Sequence, residues 1–365
     1  MSEAEGFNRA ITPEFNLLAM STEGLPDDYY LGLLDSLLRV RFHIRTEPEL
    51  QFRPQPSVRI GGHGNDQVIA LIGELLEKHK IDFELVAPDG GHEYFSIYRH
   101  AGFEKLYNFV EGRSANAVRE LGFLVGTYRD EIAPRDSLSV DEMYRLARTV
   151  NELHYGTTSS GRASLTDPEQ FRDKYDVSDV QPETHVIPNT GFRDGYPVEY
   201  IGGIIDALAT FRPSISRSSY GMGYVMTPQI RLYRGGVHPA FGLSVQQFCE
   251  QQNLPCTTTD EMQYLNTIID GAAAIDEFAP VVGPYLVAKR DELAYLHGEL
   301  VPRFLNESHH TKQNFYEIVI DFEPLATRGS RRQRNRKYTP EHFEDVWSED
   351  ITPVDRTSSS DESAD

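Results

Sequence analysis

Hydrophobic and polar positions alternate with a period of two along several short stretches of the chain. Between residues 39 and 45 three apolar side chains alternate with basic ones, and residues 57–60 continue the alternation, which predicts strands with one apolar and one polar face. Residues 71–77 instead repeat apolar positions at helical spacing, and residues 83–86 and 94–98 predict a second strand pair. The predicted order is therefore helix-strand-strand-helix-strand-strand-helix.

The same pattern recurs in the second half of the chain. The segment YYLGLLDSL at residues 29–37 returns as YIGGIIDAL at residues 200–208, with the two aspartates 171 residues apart. Arg59 and Arg231 occupy matching places in the strands that follow, 172 residues apart. Matching blocks in the same order at a nearly constant offset indicate an internal duplication. We therefore expect two related domains.

Small residues stand in the middle of both repeated helical segments. Gly32 in the first copy matches Gly203 in the second, where Gly202 precedes it. Glycine in a helix interior costs about 1 kcal/mol relative to alanine. These positions therefore predict close packing of one helix against the other, although glycines can also simply mark turns.

The two segments resemble the motif of the LAGLIDADG family, which comprises homing endonucleases and their intron-maturase and regulatory relatives. The first copy matches the glycine, the two apolar positions after it and the first aspartate, and the second copy adds the small residue in second place. The resemblance covers most of residues 26–129 and 196–303, including a late helical segment at 283–290. It implies an α+β fold of two pseudo-symmetric αββαββα repeats, with paired motif helices and a saddle of two antiparallel sheets over duplex DNA.

The resemblance also implies where catalysis would occur, and the chain departs from the family there. In cleaving members the eighth motif residue is an acid, and the two acids bind magnesium at the centre of the saddle; the residues at these positions are Leu37 and Leu208. Leucine offers no oxygen to a hard divalent cation. The nearest acids, Asp35 and Asp206, lie two positions earlier, about 200° away around the helix, and predict capping or packing roles near the domain interface. We therefore expect no catalytic residue, no metal and no cofactor, with magnesium needed only if cleavage is retained.

The polar faces of the predicted strands carry the candidates for nucleic-acid contact. Arginine can form bidentate hydrogen bonds to guanine, glutamine can pair with adenine, and hydroxyl groups can reach phosphates. In a chain with more acids than bases, basic residues on such faces favour an anionic partner over an ordinary solvated surface. The candidates are Arg39, Arg41, His43, Arg45 and Arg59 in the first copy and Arg212, Arg217, Gln229, Arg231, Tyr233 and Arg234 in the second. Arg331 and Arg332 belong to a basic run at residues 328–337 that fits a phosphate-gripping arm and a solvated linker equally well.

The charge of the whole chain allows two interpretations. Lys and Arg number 35 against 56 Asp and Glu, for a net charge of −21, and seven of the basic residues are lysines. Such a chain can repel anionic partners, or it can be adapted to a high-salt cytoplasm, in which case its global charge says little about partners. We favour the second interpretation, which suggests a halophilic source, a haloarchaeon or a haloarchaeal virus.

The hydrophobicity of the chain indicates where in the cell we expect the protein. No apolar run approaches the roughly 18 to 20 residues that a membrane span needs. Residues 1–10 are polar, without the basic and apolar regions of a secretory signal,. We therefore expect a cytoplasmic protein without membrane contact.

The remaining segments complete the predicted domain organisation. A helical stretch at 140–153 precedes a Ser-, Asp- and Gly-rich segment, a strand is predicted at 315–322, and a helix is predicted to begin at Thr339 and Pro340. We divide the chain into an N-terminal extension (1–25), a first repeat (26–133), a linker or insertion (134–195), a second repeat (196–306), a C-terminal extension with the basic run (307–356) and a disordered acidic tail (357–365).

Three hypotheses for function remain open, beside a scaffold without a nucleic-acid role. The first is a LAGLIDADG-like protein that binds double-stranded DNA without cleaving it, for example as a repressor or other regulator. The second is an active site-specific homing endonuclease whose acids come from displaced positions. The third is an RNA-binding protein of the maturase type, with structured RNA as its partner. The internal duplication predicts a monomer with pseudo-twofold symmetry.

Overall fold

The computed structural model of the protein describes residues 24–62, 64–89, 91–153, 167–177, 183–188, 195–235, 240–261, 264–323, 325 and 337–354. Within these ranges the chain folds into two α+β repeats, as predicted. In each repeat a motif helix leads directly into a long hairpin, and a shorter strand pair follows the next helix.

The first repeat follows the predicted order of elements. They are α1 (Asp27–Leu37), β1 (Leu38–Glu47), β2 (Gln51–Gly61), α2 (Asp66–Lys78), β3 (Glu84–Val86), β4 (Tyr94–Ile97), α3 (His100–Val110) and α4 (Ala117–Phe123). The strands form one antiparallel sheet in the order β1-β2-β4-β3. Helix α4 continues into a π-helical stretch, Leu124–Ile132, and two further helices follow, α5 (Val140–Leu153) and α6 (Pro168–Tyr175).

The second repeat has the same order. Its elements are α7 (Val198–Leu208), β5 (Ala209–Arg217), β6 (Tyr224–Gly235), α8 (Ala240–Gln251), β7 (Thr257–Glu261), β8 (Tyr264–Asp270), α9 (Ala272–Val282), α10 (Arg290–Tyr295) and α11 (Val301–Leu305). The sheet order is β5-β6-β8-β7, again antiparallel. The described chain ends with α12 (Lys312–Asp321) and α13 (Pro340–Val346).

Strand alternation produces two different faces on the first hairpin. Val40, Val58 and Ile60 are fully buried against the helices, whereas Arg41 and Arg59 are exposed. Since successive side chains of a strand point to opposite faces, the apolar set forms the core and the polar set remains accessible. The saddle of two antiparallel sheets therefore presents a polar surface.

Three sequence-based element predictions can be compared with the structure. The helix at 140–153 is confirmed, and so is the helix after Thr339, whose hydroxyl accepts the backbone N–H of His342. The strand predicted at 315–322 is wrong, because this segment lies in helix α12. Its buried residues are Phe315, Tyr316, Ile318 and Val319. This spacing is that of one helix face, and the β-branched residues of the segment obscured it.

The two motif helices, α1 and α7, pack side by side at their glycines. A Cβ atom added to Gly32 would lie 2.0 Å from the carbonyl oxygen of Tyr200, and one added to Gly203 would lie 2.1 Å from that of Tyr29. The backbones therefore approach more closely than any side chain would permit. Gly202 differs from the prediction, because it faces the carbonyl oxygen of Tyr285, within its own repeat.

The pseudo-twofold correspondence continues beyond the predicted αββαββα unit. The segment PEQFRDKY at residues 168–175 matches PEHFEDVW at residues 340–347, 172 residues later. In the first repeat, Phe52 of the hairpin contacts Phe171 and Tyr175 edge to face. The matching residues of the second repeat make the same contacts, Tyr224 with Phe343 and Trp347. Thus α6 supports the first hairpin as α13 supports the second, while the domain boundaries stay predictions.

In the part of the chain that the structure describes, no helix combines the length and the apolar character needed to cross a bilayer.

Candidate nucleic-acid interface

The exposed face of the first hairpin gathers four of the five basic residues predicted in the first repeat. Arg41, His43 and Arg45 are exposed on β1. Across the hairpin they pair in register with residues of β2, Arg45 with Arg53, His43 with Gln55 and Arg41 with Ser57. Arg53 and Gln55 are exposed too. The face thus offers several hydrogen-bond donors within one strand pair, as base or phosphate contacts require.

Arg53 and Gln55 were missed by the sequence-based prediction. The alternation that reveals them is present, but Pro54 and Pro56 interrupt it, and proline argues against a central strand. The structure explains why these prolines are tolerated. Strand β2 pairs with β4 only from Val58 onward, so Pro54 and Pro56 lose no hydrogen bond to a neighbouring strand on that side.

Arg39 differs from the prediction of an exposed DNA contact. Its side chain is buried, and its Nη1 forms an ion pair with Glu120 of α4 at 2.6 Å. The other oxygen of Glu120 accepts the backbone N–H of Val40 at 2.6 Å. Glu120 thereby attaches α4 to strand β1, and Arg39 neutralises it. The partner lies 81 residues away in the sequence, so the local strand pattern gave no indication of it.

A cavity of about 360 Å³ lies between the end of the first motif helix and the hairpin. Its lining consists of Leu37, Arg39, Val40, Arg41, Phe42, Arg59, Gly61, Tyr94 and Val150. The guanidinium of Arg59 lies over the ring of Tyr94, 4.9 Å from its centroid, which holds the arginine by a cation–π contact. Part of the Arg41 side chain is exposed, yet burial lowers its pKa, and the nearby charges of Arg39 and Arg59 lower it further.

The second hairpin is less basic than the first. Arg212 is exposed and Arg231 half-buried, and they occupy the places of Arg41 and Arg59. Gln229 differs from the prediction, because it is buried and its amide nitrogen donates to Asp270 at 2.6 Å. Arg217 is exposed, but strand alternation separates it from the face of Arg212, five residues earlier,.

Four further candidates fall partly or wholly outside the described residues. The backbones of Tyr233 and Arg234 lie in strand β6, but their side chains are not part of the described structure. Arg331 and Arg332 lie entirely outside it. These four residues remain candidates on sequence grounds alone.

The last residues of the two motif helices offer no side-chain oxygen to a metal ion. Leu37 and Leu208 are 4% and 7% exposed, and each ends its helix with an apolar side chain. Asp35 is fully buried and accepts hydrogen bonds from the backbone nitrogens of Ala115, Asn116 and Ala117 at 2.7, 3.1 and 2.6 Å. The carboxylate therefore caps the first turn of α4. Magnesium does not fit this donor set.

Asp206 repeats this arrangement in the second repeat. It accepts the backbone N–H groups of Val287, Ala288 and Lys289 at 2.7, 3.1 and 2.8 Å. Burial raises the pKa of Asp206, although its hydrogen bonds oppose the change. Among the described residues no cluster of three or more His, Cys, Asp or Glu side chains could hold a metal ion.

Two tyrosines join these aspartates across the repeats. The hydroxyl of Tyr29 on α1 donates to Asp206 at 2.6 Å, and that of Tyr200 on α7 donates to Asp35 at 2.5 Å. The two bonds are related by the pseudo-twofold axis. Each aspartate thus serves its own repeat as a cap and the other repeat as an acceptor, a structural role of the kind the sequence predicted.

A lysine stands at the end of the second motif helix. Burial lowers the pKa of Lys289 to about 8, and its Nζ donates to the carbonyl oxygen of Ala209. Ala209 is the residue directly after the motif helix. The second repeat therefore places a cationic side chain beside the C-terminal end of its motif helix.

Comparisons with known proteins identify the fold. No family model matches the sequence, and no curated protein matches it. Among solved structures, the chain is similar to the LAGLIDADG meganuclease I-CpaMI bound to uncleaved DNA, with 14% identity, a TM-score of 0.52, and 81% of this chain and 97% of that chain covered. It is similar to the meganuclease I-SmaMI bound to uncleaveable DNA, with 10% identity, a TM-score of 0.55, and 81% of this chain and 95% of that chain covered. It is also similar to the LAGLIDADG homing endonuclease I-LtrWI bound to target DNA, with 13% identity, a TM-score of 0.54, and 85% of this chain and 100% of that chain covered. The fold is therefore that of LAGLIDADG homing endonucleases.

Proposed function

We propose that this protein binds double-stranded DNA through the exposed faces of its two long hairpins and does not cleave it, acting as a regulator such as a repressor. The observation that carries the proposal is the row of basic side chains on the first hairpin, including Arg41, Arg45 and Arg53. The structural neighbours, which are bound to DNA, support it by their fold.

The lack of cleavage is supported by the residues at the motif centre. Leu37 and Leu208 have no ligand atoms, and Asp35 and Asp206 are buried and fully engaged as caps. A group that already accepts several backbone hydrogen bonds could bind magnesium only by breaking them. The proposal therefore includes no metal and no cofactor.

The proposal also covers the oligomeric state and the cellular location of the protein. We propose a monomer, because the two repeats already supply the two halves of a saddle in one chain. We further propose a cytoplasmic protein of a halophile, for which the 56 acidic residues against 35 basic ones are the support. In strong salt, counter-ion release contributes little to affinity, so direct contacts carry more of the binding.

A selection from a randomised pool of duplex DNA tests the proposal. The full chain is incubated in molar KCl with magnesium, and bound and cleaved molecules are sequenced separately. We expect a long site to be enriched among uncut molecules. Enrichment of cut molecules that requires Asp35 or Asp206 would instead establish an endonuclease with displaced acids. Binding to structured intron RNA in preference to every duplex would establish the maturase type.

A matched pair of variants then tests the assigned face. Arg45→Ala removes an exposed cation from the hairpin, and Arg99→Ala removes one that lies outside both hairpins, paired with Asp82. For Arg45→Ala we expect a loss of about 1–3 kcal/mol in binding to the selected site, with relaxed preference at one position, if it reads a base. Arg99→Ala should bind as the unaltered protein does. Equal effects of the two variants would contradict the assignment.

A further inference from the structure

The chain contains two cysteines, and the fold brings them together at the end of helix α8. Cys249 lies in the last turn of this helix, and Cys256 directly precedes strand β7. Both carry free thiols; Cys249 is buried and Cys256 is half-buried. The two thiols form a hydrogen bond with each other. All the thiol groups of the chain therefore meet at one contact, beside the edge strand that lies farthest from β5 in the second sheet.

A helix-ending turn makes this contact. The backbone N–H of Leu254 donates to the carbonyl oxygen of Cys249 at 2.7 Å, and that of Asn253 donates to the carbonyl oxygen of Glu250 at 3.2 Å. Asn253 has a φ of 55°, and two such bonds around a left-handed residue define a Schellman motif. The motif reverses the direction of the chain, so Cys256 returns beside the last turn of the helix.

The first repeat has the same turn without the thiols. The turn after α2 contains the same two hydrogen bonds, each 2.9 Å long, around Lys80 at a φ of 51°. The residues that match the two cysteines, 173 positions earlier, are Leu76 and Phe83. Leu76 is buried and Phe83 half-buried, as in the cysteine pair. Apolar side chains therefore satisfy the packing at these positions, and the thiols of the second repeat add a reactivity that the packing does not need.

The contact makes the two sulfur atoms unequal. The Cys249 thiol donates to the sulfur of Cys256 and thereby lowers the pKa of Cys256; burial opposes this change, and the hydroxyl of Thr258 reinforces it. The same hydrogen bond, together with burial, raises the pKa of Cys249. The thiolate is the form of cysteine that attacks an oxidant. Cys256, the more exposed of the two, is thus suited to attack, and Cys249 lies where it can react with the product.

We propose that Cys249 and Cys256 are a redox modification site, at which a peroxide closes an intramolecular disulfide and a dithiol reductant reopens it. The Cys256 thiolate attacks one oxygen of the peroxide, the O–O bond breaks, and Cys256 becomes a sulfenic acid. The Cys249 sulfur then displaces the hydroxyl group as the S–S bond forms.

The reaction balances without any further reactant. With hydrogen peroxide, the two thiols lose two protons and two electrons, and the peroxide is reduced to two molecules of water. The dithiol reductant reverses the change by thiol–disulfide exchange and is itself oxidised to a disulfide. The inference does not depend on the proposed DNA binding, because α8 and β7 lie outside the hairpins.

Mass spectrometry of the full chain tests the inference. The protein is reduced, freed of reductant, exposed to hydrogen peroxide and then alkylated in denaturant. We expect the peroxide to remove both alkylatable thiols within a monomeric chain, and a dithiol reductant to restore them. Proteolytic cleavage after Glu250 separates the two cysteines, so a linked pair of peptides that reduction divides identifies the bond.

Single-thiol variants assign the two roles. In Cys249→Ala the sulfenic acid of Cys256 has no thiol to react with, so dimedone, which traps sulfenic acids, should label Cys256. In Cys256→Ser the remaining thiol is buried, and peroxide should oxidise it roughly tenfold more slowly or less. Thermal unfolding verifies that the variants are folded, and Cys249→Leu, which copies Leu76 of the first repeat, replaces Cys249→Ala if the alanine variant does not fold.

Thermal unfolding also measures what the bond does. The disulfide closes a loop between α8 and β7 and restricts the unfolded chain, so the oxidised protein should unfold at a temperature a few degrees higher than the reduced one. Cys256→Ser, which cannot close the bond, should show no such shift after the same treatment. Equal shifts in the variant and the unaltered protein would contradict the inference.

Three further outcomes would overturn the inference. The first is survival of both thiols in the unaltered protein after peroxide treatment. The second is a disulfide that joins two chains, or one that the dithiol reductant leaves closed. The third is dimedone labelling of Cys249 in Cys256→Ser as fast as that of Cys256 in Cys249→Ala. Failure to bind duplex DNA would overturn the proposed function and leave this site unaffected.

Discussion

At the scale of single residues, Asp35 and Asp206 join the two repeats through reciprocal hydrogen bonds. Each carboxylate is buried, accepts backbone N–H groups at the start of a helix and accepts a tyrosine hydroxyl from the other repeat. The sequence predicted capping or packing, because a rotation of about 200° separates these positions from the eighth motif residue. It could not predict the tyrosines, since Tyr29 and Tyr200 contact acids 177 and 165 residues away.

These tyrosines predict a loss of stability at alkaline pH. Burial and the adjacent carboxylates raise the pKa of Tyr29 and of Tyr200 above the ordinary value of 10. The folded protein therefore binds more protons than the unfolded chain above pH 10, so this stabilisation is complete below pH 10 and is lost as the pH rises further. Replacing both with phenylalanine should reduce the fall in unfolding free energy above pH 10. It should also cost about 1–3 kcal/mol per tyrosine at neutral pH.

Urea unfolding as a function of pH measures both effects. Tyr98→Phe is the control, since this side chain is 57% exposed. Identical alkaline slopes in the unaltered protein and the double variant would contradict the prediction.

At the scale of elements, the strands and helices of the repeats followed from the periodicity of the sequence, whereas three features did not. Helix α12 was mistaken for a strand because β-branched and aromatic residues, which favour strands, dominate a segment with helical spacing,. The likeness of α6 to α13 was missed because it consists of a few aromatic and acidic positions, and it becomes evident only when Phe171 and Phe343 are found against equivalent hairpin residues. Burial of Arg39 depends on Glu120, which no local pattern reveals.

The contact between the motif helices predicts a severe effect of one added methyl group. In Gly32→Ala or Gly203→Ala the Cβ would lie about 2 Å from a backbone oxygen of the facing helix, so the helices must separate. We expect a destabilisation of about 1–3 kcal/mol or more. Gly298→Ala is the control, because no atom lies within 4 Å of its Cβ position. Chemical denaturation measures the difference, and equal stabilities of Gly32→Ala and Gly298→Ala would disprove the close contact.

At the scale of the whole molecule, two repeats of the same fold present unequal surfaces. Arg45 and Arg53 of the first hairpin correspond to Ser216 and Val225 of the second, which pair in the same register. Val225 is 50% exposed. The fold, including the saddle, was predictable from the duplicated motif. The asymmetry of its two faces was visible only after the strand register was known.

This asymmetry predicts a target with unlike halves. Arginine favours guanine, whereas an exposed apolar side chain favours the methyl group of thymine. In the selected DNA we expect guanine preference in the half under the first hairpin and weaker, thymine-containing preference in the other. Combining Ser216→Arg with Val225→Arg should add guanine preference to the second half. A fully palindromic site for the unaltered protein would contradict the prediction.

The reciprocal contacts of the motif helices carry a consequence for the history of the gene. Tyr29 reaches Asp206 while Tyr200 reaches Asp35, and each glycine faces the other helix's tyrosine. Contacts in which residue i meets j and j meets i define a two-fold interface between identical subunits. The aromatic supports recur at the same 172-residue offset, so the duplicated unit already contained them. These contacts support descent of the chain from a shorter polypeptide of about one repeat that paired with itself as a two-fold homodimer.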